Sequence, residues 1–208
     1  MEGSSLVVFY SWSGNTRQVA RIIAKKAGAE LCELRPGVPY PQDNAAVTAQ
    51  AQREIREKVR PALSPLHLEL DRYETIYLGT PNWHGTMAPP LASFLYQTMP
   101  TDKSILPFCT HGGGGSGRIA QDMAFYCMGC DMLPILSLYG DGGPDRETQI
   151  GAWLKRTGKI LALLDEERPG GKGEVYEKNC FPAVYDGRSD DRRSAGAYGL
   201  CTHRPEPP

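Results

Sequence analysis

Five short apolar runs, spaced by stretches of helical periodicity, constrain the fold of this chain more than any other feature. Residues 6–10, 75–80, 104–110 and 132–139 are short and β-rich, and residues 30–35 alternate weakly. Apolar side chains recur at helical spacing elsewhere. Val19, Ile22, Ile23 and Ala27 form one stripe, stopped by Gly28. Leu91, Phe94, Leu95 and Thr98 form a second behind Pro89 and Pro90. Ile119, Met123, Cys127 and Cys130 form a third, and Ile150, Trp153, Leu154, Thr157, Leu161 and Leu164 the last and clearest. Strands that alternate with helices predict an α/β fold: a five-stranded parallel sheet covered on both faces. Right-handed crossovers leave few strand orders open.

Two stretches fall outside this alternation. Residues 36–65 are too long for a simple connection and hold a polar helix over about 44–59, flanked by prolines. The tail, 166–208, carries 8 acidic and 7 basic residues and 11 Gly plus Pro in 43 positions. It also holds Phe181, Tyr185, Tyr198 and Leu200, which a purely disordered segment tends to lack. The expected organisation is one domain over 1–165 with an appended arm over 166–208.

Bulk composition excludes several function classes. Hydrophobic residues at 40% and charged residues at 23% are ordinary globular values. A net charge of −1, with no basic run, gives no footprint for nucleic acid. No apolar run approaches the roughly 18 residues of a membrane span, and the run at 6–10 is too short for a signal-peptide core. The expectation is a soluble, cytoplasmic protein whose six cysteines are free thiols. Cys127 and Cys130 form a C-x-x-C, but they fall at the C-terminal end of a helix and on its apolar stripe. Buried core thiols are expected there rather than a redox pair, and no Cys or His spacing suggests a metal site.

The chemistry sits in three turns, each leaving the carboxyl end of a strand. The first is Ser11-Trp12-Ser13-Gly14-Asn15-Thr16, between strand and helix. Such a turn gathers backbone N–H groups beside the positive end of a helix dipole. Ser11, Ser13, Thr16 and Asn15 add side-chain donors, and Gly14 lets the backbone curl. The set suits a phosphate dianion with no lysine in the cradle; Arg17 is the nearest cation. The second is Thr80-Pro81-Asn82-Trp83-His84-Gly85, whose indole is a natural stacking partner for a flat π-system. The third is Thr110-His111-Gly112-Gly113-Gly114-Gly115-Ser116, whose glycines permit close backbone approach to a ligand. In an open α/β sheet, ligands bind at this edge.

The first turn resembles the Ser/Thr-x-Thr-Gly-Asn-Thr phosphate loop of flavodoxins, with Ser13 in place of the middle Thr. The resemblance covers about residues 5–165. It implies a flavodoxin-like three-layer sandwich with strand order 2-1-3-4-5, binding FMN non-covalently at all three turns. In that family the second loop contacts the isoalloxazine; Trp83 would stack on it, with Thr80 and Asn82 at its edge. The third loop would lie against the pyrimidine end, and His84 or His111 could supply a proton. The implied activity is electron transfer, as a carrier or as a small FMN oxidoreductase fed by NAD(P)H or a partner protein. Residues 1–165 hold 16 acidic and 16 basic residues, unlike the acidic carriers, so a less negative potential is expected.

Two other readings stay open at this point. One is a non-redox binding module on the same fold. The other is a dinucleotide-binding dehydrogenase, since Gly112, Gly114 and Gly117 satisfy G-x-G-x-x-G. That match follows the fourth strand rather than the first and lacks an acidic residue at the end of the next strand. A Walker loop fails because Arg118 stands where Lys is required.

Overall fold

The computed structural model describes residues 4–166. Parallel strands β1 (Ser5–Phe9), β2 (Glu30–Glu33), β3 (Thr75–Trp83) and β5 (Ser104–His111) lie in the order β2-β1-β3-β5. The next position is shared by β6 (Asp131–Met132) and β7 (Leu136–Tyr139), both parallel to β5. A short β4 (Thr86–Met87) returns antiparallel on the end of β3. The order matches the expected 2-1-3-4-5 topology, with seven strands rather than five.

Both extra strands have local causes. The expected strand over 132–139 is split at residues 133–135, where Pro134 offers no N–H to the ladder. Its carbonyl instead accepts the Trp153 indole N–H at 2.8 Å. The expected turn over 80–85 is mostly strand: β3 runs through Trp83 and reverses at His84 (φ 53) and Gly85 (φ 82). Positive φ at both central residues makes a two-residue hairpin whose twist matches the flanking strands.

Alternation along the strands divides the core. Leu6 and Val8 face α2 (Asn44–Arg56), α3 (Pro89–Thr98) and α4 (Ile119–Tyr126); Val7 and Phe9 face α1 (Asn15–Ala27) and α5 (Arg146–Glu166). Helices thus cover both faces, as a parallel sheet requires. The helix expected over about 44–59 is α2: Asp43 caps it by accepting from the Ala46 N–H at 2.8 Å, and it stops at Arg56. The third stripe, expected to continue to Cys130, ends earlier, at Tyr126, with Cys127 as its cap.

One glycine fixes the sheet interior. Gly79 sits between Phe9 on β1 and Phe108 on β5, in register with both. A Cβ there would lie 2.1 Å from Phe108 Cζ. The Phe108 ring therefore occupies the space above the Gly79 backbone. The extension expected over 166–208 lies outside the described residues, apart from Glu166 at the end of α5. Among the described residues, no helix is long and apolar enough to cross a membrane.

Candidate cofactor-binding site

The turn after β1 is built around Ser11. Its Oγ accepts the N–H groups of Gly14 and Arg17, each at 3.2 Å, which winds residues 11–17 into the start of α1. Gly14, at φ 98, supplies the left-handed kink. The amides of Asn15 and Thr16 lie in the first turn of α1 and have no acceptor among the described residues, as helix N-termini generally leave them. Arg17 stays beside the turn, its Nη1 3.9 Å from where a Cβ on Gly14 would stand. Its guanidinium grips the Glu33 carboxylate in a fork, Nε to Oε1 at 2.9 Å and to Oε2 at 3.0 Å. Any anion in this turn is thus met by amides, hydroxyls and the helix dipole, with the nearest cation paired to Glu33.

Side chains join the three turns to one another. Thr16 and Thr110, both buried, share a hydrogen bond of 2.8 Å between hydroxyls. Asn82 Nδ2 donates to the Gly115 carbonyl at 2.7 Å while its Oδ1 accepts the Gly85 N–H at 2.8 Å. The Arg118 N–H donates to the Gly85 carbonyl at 2.7 Å. Gly85 and Gly117 pack backbone on backbone: a Cβ on Gly117 would lie 2.3 Å from the Gly85 carbonyl oxygen. The first turn, the Trp83 hairpin and the tetraglycine loop therefore meet at one end of the sheet. The space beside Gly112, Gly113 and Gly115 is open, with nothing within 4 Å of where a Cβ would stand. Such a cradle admits a flat ligand close to the backbone, and no loop in it carries a carboxylate. These features fit a phosphorylated aromatic cofactor.

Several of the expected site residues have partners within the protein. Thr80 is fully buried; its hydroxyl donates to the Pro81 carbonyl and accepts the Ala88 N–H, both at 2.9 Å. It braces the hairpin from within. Asn82 spends both ends of its amide on joining two loops. His84 is exposed, with Nε2 3.2 Å from the Thr48 carbonyl, and ties the hairpin to α2. His111 Nδ1 accepts the Gly113 N–H at 3.1 Å, so Nε2 carries the proton of the neutral ring. Trp12 is half-buried, and its indole N–H donates to the Pro41 carbonyl at 3.0 Å. Ser13 is exposed, while Pro81 and Ser116 are half-buried.

Trp83 is half-buried and sits in a group of rings. Tyr10 approaches it at 5.6 Å and 80°, Tyr40 at 5.1 Å and 75° between centroids and planes. Burial first, then the Glu54 and Glu33 charges, hold the Tyr10 phenol far above its ordinary pKa. On the far side of the tetraglycine loop, an exposed Tyr139 meets His111 at 6.0 Å and 71°.

A sequence-family model described as Flavodoxin matches residues 4–155. The chain belongs to the flavodoxin family. Solved structures agree in fold. Two proteins provisionally described as flavoproteins are similar to it. The one from Bacteroides eggerthii is 23% identical with a TM-score of 0.66 and covers 74% of this chain and 98% of its own. The one from Bacteroides uniformis is 25% identical with a TM-score of 0.64, covering 74% and 99%. A flavoprotein from Lactobacillus acidophilus, solved in complex with FMN, is 21% identical with a TM-score of 0.58, covering 73% and 98%. No curated protein matches the chain.

Within this flavodoxin-family domain, no sequence motif marks Tyr10, Tyr40, Glu54 or Tyr139 as part of the site. Tyr40 and Glu54 lie in the segment over 36–65, which no motif linked to the site. The C-x-x-C cysteines are free. Cys127 is buried, and Cys130 is half-buried with its Sγ 3.2 Å from the Pro100 carbonyl. Desolvation, then the neighbouring Cys130, pushes the Cys127 thiol up to about 12. At pH 8 the native protein should therefore leave Cys127 unalkylated by iodoacetamide, with labelling only after unfolding. Peptide mapping checks this; rapid native labelling would contradict it.

Proposed function

We propose that this chain binds FMN non-covalently where its three turns meet and transfers electrons through it, as a carrier or as a small oxidoreductase. One observation carries the reading: hydrogen bonds join the phosphate-type turn to the tetraglycine loop (Thr16 to Thr110) and that loop to the Trp83 hairpin (Asn82 to Gly115). The Lactobacillus acidophilus flavoprotein, which shares the fold, is itself an FMN complex.

In this reading each part of the site has a distinct task. The Asn15 and Thr16 amides, with the Ser13 hydroxyl, hold the phosphate at the N-terminus of α1. Trp83 faces the ring and shields it from water. The amides of the tetraglycine loop lie where negative charge grows on reduction, and the missing carboxylates there leave that charge unopposed. Bound FMN supplies the redox chemistry itself. His111, protonated on Nε2 when neutral, is positioned on the same loop to hold a proton.

The phosphate assignment is tested by titrating the apoprotein with FMN and with riboflavin. FMN should bind at least about 100-fold more tightly, since only it engages the α1 amides. Equal affinities would remove the phosphate site. Steady NAD(P)H oxidation with a quinone acceptor would mark an enzyme, and reduction only through a protein would mark a carrier.

A further inference from the structure

Glu54 is a carboxylate on the inner side of a polar helix, only 6% exposed. It accepts hydrogen bonds from the Tyr40 hydroxyl and, at 2.8 Å, from Gln50 Nε2. Desolvating a carboxylate is costly, and a well-packed apolar pair would hold α2 to the sheet as well. What an apolar pair would not do is fix the direction of a phenol, as an acceptor held in place for its hydroxyl does. Tyr40, 5% exposed, passes that constraint on: its ring lies against Trp83, with Tyr10 as the other wall. Two neighbouring rings, each at 75–80° to the indole, leave it little freedom to turn.

We propose that Tyr40, anchored by Glu54, is a positioning residue that sets the plane of the Trp83 indole for the flavin ring. The inference rests on the FMN reading above and extends the site to the segment over 36–65. Tyr40 acts through Trp83. Burial, and then the hydrogen bond to Glu54, raises its pKa, so the phenol stays a donor.

A double-mutant cycle tests this, with FMN affinity of the apoprotein and fluorescence of the bound flavin as its two readouts. Tyr40→Phe keeps the ring and its packing while losing the anchor. It should weaken FMN binding about fivefold and brighten the bound flavin, because a misaligned indole quenches less. In a Trp83→Ala background the same change should have no further effect on either readout. Glu54→Gln, which keeps an acceptor for the phenol, should retain near-normal affinity and quenching. The proposal is overturned if Tyr40→Phe changes nothing, if it costs the same fivefold without Trp83, or if Glu54→Gln is as weak as Tyr40→Phe. In each of these cases the wild-type protein still binds FMN and the functional reading stands. A wild type that does not bind FMN removes both.

Discussion

Asn15→Asp should weaken FMN binding by about 100-fold, or about 2.7 kcal/mol, while leaving the apoprotein at least as stable as the wild type. The two halves of this expectation have opposite signs for one reason. Asn15 is the first residue of α1, where the helix dipole is positive. A carboxylate there interacts favourably with the dipole when the turn is empty. With a phosphate dianion in the turn, the same carboxylate becomes a like charge at close range. Arg17, beside the turn but paired with Glu33, offsets this repulsion only in part. Isothermal titration of the apoprotein with FMN, beside thermal melts without ligand, separates binding from folding. Unchanged affinity would place the phosphate elsewhere.

Gly79→Ala should destabilise the fold by about 3 kcal/mol without touching any ligand-facing residue. The added methyl would fall 2.1 Å from Phe108 Cζ. Phe108 is fully buried, as is Phe9 across β1, so the ring has no solvent to retreat into. Either the ring leaves its rotamer or β3 and β5 separate, and both disturb the strands that carry Trp83 and the tetraglycine loop. Urea denaturation measures the loss as a lower midpoint at unchanged slope. A midpoint equal to wild type would mean that Phe108 does not cover the glycine.

Much of this architecture was legible because its signals are periodic. The stripe Val19, Ile22, Ile23 gave α1, and Gly28, left-handed at φ 63, marks its stop. The three turns were legible because their chemistry is local. What was missed depends on tertiary contact or on competing local signals. Pro81 and Asn82 are common turn residues, so the stretch before His84 read as a loop. In fact His84 and Gly85 make the turn, and Asn82 bridges to Gly115. The resemblance implies that Thr80 meets the ring edge; in the structure β3 is buried on both faces over residues 76–80, and Thr80, on the face of Ile76 and Leu78, is fully buried. Pro134 carried the signal for a split outer strand. Tyr40 and Glu54 gave none: a glutamate on a polar helix reads as solvated, and only the packing of α2 against the sheet brings it to Tyr40 and, through that ring, to Trp83.

In the proposed site, amides and one indole drawn from three strand ends enclose a phosphorylated flavin. The decisive measurement is the visible absorption spectrum of the 208-residue protein, purified and then incubated with FMN, with the flavin released by denaturation identified by chromatography. A yellow protein with the two flavin bands is expected, with FMN as the released species. A protein that stays colourless after FMN and desalting would contradict it.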